Sequence, residues 1–178
     1  MNMKTATVAL RVFIILFAFA FTIIEPINWK VKEGSYSVSF KGGKIEGILT
    51  GLKATILFDE INPEKSKIYA SVDVNTINTG NSLKNKHAKA ESALDVARFS
   101  MIIFESTGIY KKGTDYEAKG KLSMKGVTKE IILPFTFLKK GDEAVFKGKF
   151  SVTPKDYNIT KMGTPDEVVI ELEVPVTK

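Results

Sequence analysis

The sequence predicts an all-β domain, a sandwich or barrel of short antiparallel strands. Apolar residues recur at every second position from Trp29 onward, the mark of strands with one buried face. Short clusters of glycine, proline, asparagine and lysine interrupt that alternation at close intervals, as turns do. Only one stretch, Ser82 to Ala97, breaks the pattern.

The strands follow in order. Tyr36, Val38 and Phe40 alternate with serines, and Ile68, Ala70, Val72 and Val74 with Lys67, Tyr69, Ser71 and Asp73. Tyr116, Ala118, Gly120, Leu122 and Met124 face one way while Glu117, Lys119, Lys121 and Ser123 face the other. Phe146, Gly148, Phe150 and Val152 repeat the pattern, and Val168, Ile170, Leu172 and Val174 close it. Less regular strands are expected over Ile45–Thr50, Ala54–Phe58, Met101–Ser106 and Glu130–Phe137. Between them lie Lys41-Gly42-Gly43-Lys44, Ile61-Asn62-Pro63-Glu64, Lys111-Lys112-Gly113, Lys139-Lys140-Gly141-Asp142 and Met162-Gly163-Thr164-Pro165. Turns this short join antiparallel neighbours, because a parallel return needs a long crossover. Ser82 to Ala97, rich in lysine, alanine and leucine, reads as one or two helical turns or a short helix with Ser82 or Ser92 as candidate caps, a natural lid or plug for a barrel end. Gly120 and Gly148 share the inner face with aromatics. Relief of strand coiling and provision of interior room explain them equally well.

The 178 residues suit one domain, or one domain behind an N-terminal address. Lys4 and Arg11 precede an uncharged run, Val12 to Ile24, and the first acid is Glu25. A helix over that run rises about 20 Å, short of the roughly 30 Å hydrocarbon core. Residues 1–25 therefore read as a secretory signal, with Ala18-Phe19-Ala20 in small-x-small form, or as a retained membrane anchor. Either reading puts the domain, residues 28–178, outside the cytoplasm, in the periplasm or otherwise exported. Membrane contact through the N-terminal segment is expected if it is retained. From Glu25 onward 24 bases face 20 acids, and the lysines are scattered rather than gathered into a stripe, which argues against nucleic acid as a partner. The absence of cysteine excludes disulfides, thiolate metal sites and a cysteine nucleophile.

Catalytic constellations are sparse. His87 is the sole histidine, so a serine–histidine site would have to form around it, and nothing nearby resembles a nucleophile elbow. His87 and Glu91 stand four residues apart, a pair of metal ligands lacking a third. The acid pairs Asp142-Glu143 and Asp166-Glu167 fall in turns, where solvated carboxylates are usual. The sequence thus predicts no enzyme, no metal and no cofactor.

The order of residues resembles the YceI-like domain family. Trp29, Ser37-Val38-Ser39-Phe40, Gly47 and Leu57-Phe58-Asp59 open the domain as that family opens. Val72 to Asn81 is similar to its strand entering a helical excursion, and Ile103-Phe104-Glu105-Ser106 to the strand that follows. The most specific match is Tyr116 to Lys129, which includes Gly120-Lys121-Leu122-Ser123-Met124-Lys125-Gly126-Val127-Thr128. The resemblance spans roughly Trp29 to Val174. It implies an eight-stranded antiparallel lipocalin-like barrel with a short helical insertion, holding a polyisoprenoid chain or related amphiphile in its pore. Eight strands enclose just enough room for side chains or one small ligand. Two departures stand out. Lys84-Asn85-Lys86-His87-Ala88 keeps only the histidine of an Arg-Asp-x-His-Leu run, and Pro154-Lys155-Asp156-Tyr157-Asn158 replaces an Arg-x-Asp-Phe-Gly pattern.

Alternation and resemblance together predict a non-enzymatic barrel whose partner is an apolar or amphiphilic small molecule of polyisoprenoid or fatty-acyl type. Its expected lining is Phe40, Phe58, Val72, Phe104, Leu122, Phe135, Phe146, Phe150 and Leu172. A structural or partner-binding barrel would instead fill its interior with side chains and expose an apolar patch. A hydrolase or isomerase would need converging polar groups inside.

Overall fold

A computed structural model describes residues 25–178, so the expected signal or anchor lies, apart from Glu25, outside the described residues. Ten antiparallel strands form one sheet that closes on itself: β1 (Ile27–Val31), β2 (Ser37–Gly42), β3 (Ile45–Leu49), β4 (Gly51–Phe58), β5 (Lys67–Asp73), β6 (Met101–Lys112), β7 (Asp115–Met124), β8 (Val127–Lys140), β9 (Glu143–Val152) and β10 (Val168–Thr177). β10 pairs with β9 along one edge. Along the other it meets β2 at Val169–Glu173 and β1 at Val176–Thr177. β1 and β2 thus act as one broken staff, β3 and β4 as another, and the result is an eight-stranded barrel with one helix.

Inward and outward positions alternate as the sequence predicts. In β7, Tyr116, Ala118, Gly120, Leu122 and Met124 are all buried between charged or hydroxylated neighbours. β6 changes parity in mid-strand. A register shift between Ser106 and Gly108 lets Phe104 and Ile109 both point inward although one is even-numbered and the other odd, so the strand runs on to Lys112 instead of ending at Ser106. Pro134 sits inside β8 opposite Glu117 of β7, one residue before the β8–β9 pairing begins at Phe135.

The turns follow local chemistry. Lys125 and Gly126 take φ of 50° and 74°, the two positive values of a tight hairpin turn, and Ser123 Oγ meets Thr128 Oγ1 across it at 2.7 Å. This explains physically why Ser123 to Thr128 reads as a motif. The helix, α1 (Ser82–Lys89), runs for about two turns as expected, but its cap is neither Ser82 nor Ser92: it is Asn81, whose side chain accepts from the Lys84 N–H at 3.0 Å. Asn85 Oδ1 accepts from both the N–H and the hydroxyl of Thr79. Beyond α1 the chain turns through Asp95 (φ 52°), which is buried and paired with Arg98. The excursion is stitched to β3 by reciprocal 2.9 Å bonds between Ile48 and Asn78. Gly47 permits that approach: a Cβ there would stand 2.5 Å from the Asn78 carbonyl.

Candidate functional site: an apolar cavity at one end of the barrel

The two ends of the barrel differ. At one end, where the β6–β7 and β8–β9 turns lie, aromatic rings from several strands fill the interior. Phe58 packs edge-on against Tyr116 (5.0 Å between centroids), Phe135 (5.7 Å), Phe137 (4.8 Å) and Phe146 (5.3 Å), and Trp29 meets Phe137 at 5.3 Å. The polar atoms of this plug are satisfied: the Trp29 indole N–H donates to the Phe58 carbonyl and the Tyr116 hydroxyl to that of Glu60. Burial, aided by the charges of Glu60 and Asp59, lifts the Tyr116 phenol above its ordinary pKa. Beside the plug, Asp59 fastens the β4–β5 loop by accepting from the Ile61 and Asn62 N–H groups and the Asn62 side chain. Burial opposes its ionisation, but those donors outweigh burial and hold the carboxyl below its usual pKa.

Beyond Phe135 and Phe146, which form a floor, the interior opens into a cavity of about 300 Å³. Inward positions there carry smaller side chains, Ala54 and Ala70 among them. At its far end the cavity is bounded by the β2–β3 hairpin (Gly42, Ile45), the helical excursion (Ala88, Ala93, Leu94), the segment before β10 (Thr164, Pro165) and the first residue of β10, Val168. Among the described residues no charged side chain lines it, and Thr164 alone brings a hydroxyl.

Of the nine residues expected from sequence to face the interior, Phe40, Val72, Phe104, Leu122, Phe135, Phe146, Phe150 and Leu172 line the cavity. Phe58 points inward but belongs to the plug, at 1% exposure. The two glycines part company. A Cβ on Gly120 would strike the Phe104 ring at 2.6 Å, so that glycine makes room for a packed ring. Gly148 lines the cavity, and a Cβ there would stand 3.3 Å from the Pro134 carbonyl and 3.4 Å from Leu133, a tight contact rather than a clash, so it leaves only a little room. The lining contributed by the excursion and the loops, notably Ile77, Leu94, Ile159 and Pro165, was missed because irregular segments carry no period to read.

The candidate catalytic and metal-binding groups lie apart from one another. His87 is exposed, and Glu91 lies past the end of α1, where it pairs with Arg98. Asp142 pairs with Lys178, Glu143 with Lys32 and Asp166 with Lys155 on the outer surface. Among the described residues no three His, Asp or Glu side chains gather as metal ligands do.

The profile of the YceI-like domain matches residues 29–177. The chain belongs to the YceI-like family. Protein YceI of Salmonella newport is 29% identical over 156 residues, 84% of this chain and 78% of that protein. Among solved structures, BcnA of Burkholderia cenocepacia superposes with a TM-score of 0.78 at 22% identity, over 83% of this chain and 100% of its own. A polyisoprenoid binding domain from Saccharophagus degradans, implicated in plant cell wall breakdown, superposes with a TM-score of 0.62 at 9% identity, over 84% of this chain and 97% of its own. These likenesses establish the YceI-like barrel, and the cavity is what this chain builds inside it.

Proposed function

We propose that this YceI-like barrel binds one long apolar or amphiphilic molecule, of polyisoprenoid or fatty-acyl type, and serves outside the cytoplasm as its carrier, store or sensor. The observation that carries the reading is the cavity: about 300 Å³, lined by hydrocarbon and free of charge. That volume lies at the lower end of small-molecule sites, which suits a slender chain better than a rigid ring system. The structural neighbour that is a polyisoprenoid binding domain supports the same class of ligand. Each methylene removed from water contributes about 0.8 kcal/mol, so roughly ten contribute about 8 kcal/mol, against an association cost of about 4 kcal/mol or more. Short chains should bind weakly and long ones well. Selectivity between similar chains should be loose, since an apolar pocket resolves one methylene by only about 1–3 kcal/mol. The reading is non-enzymatic: acids and bases pair on the outer surface, and none lines the cavity.

Mass spectrometry of organic extracts of the purified protein tests the binding. We expect a stoichiometric amphiphile, and a raised Tm on adding polyprenyl or long acyl compounds to stripped protein. Extracts without amphiphile, together with no binding and no Tm shift, would leave a structural barrel in its place. Export is tested separately. A reporter fused after residue 30 should cross the inner membrane, and the mature N-terminus should show whether cleavage falls near Ala20. Full-length protein soluble in the cytosol with Met1 intact contradicts it.

A further inference from the structure

We propose that the rim of the cavity is a docking surface for an anionic lipid bilayer. Two neighbouring segments at the opening each expose a large apolar side chain beside a lysine: Leu83-Lys84 on α1, and Lys161-Met162 in the loop before β10. Leu83 is 60% exposed and Met162 97%, the latter the most exposed large apolar residue of the described chain. The lysines already bridge the rim. Lys84 Nζ reaches the Lys44 carbonyl of the β2–β3 turn at 3.5 Å, and Lys161 Nζ reaches the His87 carbonyl of α1 at 3.3 Å.

Charge complementarity selects the occupant. Among the described residues Lys44, Lys84, Lys86, Lys89 and Lys161 form no ion pair, whereas the rim acids Glu46 and Asp166 are paired with Lys41 and Lys155. Glu167 and Asp156 remain, and Glu91 and Asp95 of the excursion share the single Arg98, so among the described residues five free lysines face three uncompensated acids and cations prevail. At the plugged end Ile61 and Leu138 are also exposed, at 76% and 58%, but Lys139 is paired with Glu60 there, and Glu64 and Asp115 offset the nearby bases. Apolar side chains flanked by lysines are what an interfacial lipid-binding surface requires: the hydrocarbon enters the head-group boundary and the lysines meet phosphates. Phosphate is a stronger acceptor than the neutral carbonyls at 3.3 and 3.5 Å, so docking can trade those long contacts for charge-assisted ones. A barrel docked this way opens its cavity onto the bilayer.

The fold makes the test discriminating. The described chain enters the barrel at the plugged end, where Ile27 pairs with Phe58, so attachment through residues 1–24 would bring that end, and not the rim, to lipid. The chain has no cysteine, so Leu83→Cys, Met162→Cys and Ile61→Cys each give the full chain a single labelling site for an environment-sensitive fluorophore. With phosphatidylcholine vesicles containing phosphatidylglycerol, probes at 83 and 162 should shift to the blue and be quenched by lipid-borne quenchers, while the probe at 61 should not. Pure phosphatidylcholine should give little response. Adding Lys84→Glu and Lys161→Glu to the 162-labelled chain should weaken partitioning by more than about tenfold, since each surface lysine contributes roughly a factor of five. These are exposed or partly exposed side chains, so an unchanged Tm certifies the fold of each variant. A response at 61 alone, an equal response at all three sites, a response indifferent to phosphatidylglycerol, or none overturns the proposal. Probe position is read without reference to ligand uptake, so this outcome and that of the cavity reading are separable.

Discussion

Trp29, Phe58, Tyr116, Phe137 and Val176 occupy inward positions at the plugged end of the barrel, while Ala54, Ala70, Gly148 and Leu172 occupy equivalent positions toward the rim. The strands are continuous between the two regions and the alternation is the same, yet the exposures diverge. Ile109, Ala118 and Val176 have no exposed surface, whereas Ala54, Ala70 and Gly148, equally inward, are only half-buried because solvent reaches them from the cavity. Side-chain volume along a strand, more than its polarity pattern, decides whether a small barrel is a core or a container. The plugged end then supplies the stability that the empty end forgoes: interlocked rings contribute about 0.5–1.5 kcal/mol per pair beyond their buried area.

The largest contrast should come from deleting a ring at each end. Phe58→Ala removes a side chain packed on four other rings and should cost about 3–5 kcal/mol in denaturant unfolding. Phe150→Ala removes one that is half-buried and borders empty space, and should cost about 1–2 kcal/mol. Equal losses would mean that the ends are equally packed.

Asp59 offers a second, pH-resolved contrast. Its carboxyl titrates lower in the folded protein than in the unfolded chain, so its contribution is fully present above the unfolded value of about 4 and is lost as pH falls through the folded value. Asp59→Asn should cost about 1–2 kcal/mol at pH 7, with the gap to the parent protein closing in acid. A gap of constant size from pH 7 to pH 2 would show that the charge contributes nothing there.

Two smaller effects sharpen the other end. Leu122→Phe places a larger side chain beside open volume, so it should change stability by less than about 1 kcal/mol while reducing ligand content, whereas overpacking in a filled core costs about 1–3 kcal/mol. His87→Ala should alter stability by no more than about 0.5 kcal/mol, since the imidazole is exposed and Lys161 binds the backbone carbonyl, which the substitution keeps.

The period-two pattern made the strands legible, and the ordered motif from Tyr116 to Lys129 made the family legible. Phe58 shows where that reading stops. Its inward direction follows from its place in a strand, but its place in the plug depends on rings from β7, β8 and β9 reaching the same level, which is a matter of register between strands far apart in sequence. Ile109 was hidden for a related reason: the register shift between Ser106 and Gly108 switches parity with no mark in composition. The part played by Ala88, Ala93 and Leu94 in closing the cavity depends on how an irregular excursion folds back, which Asn81, Asp95, the Thr79–Asn85 bonds and the Ile48–Asn78 bridge help to fix.

If the empty end is a container, its volume limits the chain it can hold. Calorimetric titration of the delipidated protein with acyl or polyprenyl chains of increasing length, repeated on Ala70→Phe, tests this most directly, because Ala70 lines the cavity and lies away from the plug. Affinity should rise with chain length until the cavity is full, and Ala70→Phe should lower that plateau with little change in Tm. Affinity independent of length, or a length series that Ala70→Phe leaves unchanged, would contradict the claim that the chain lies inside the barrel.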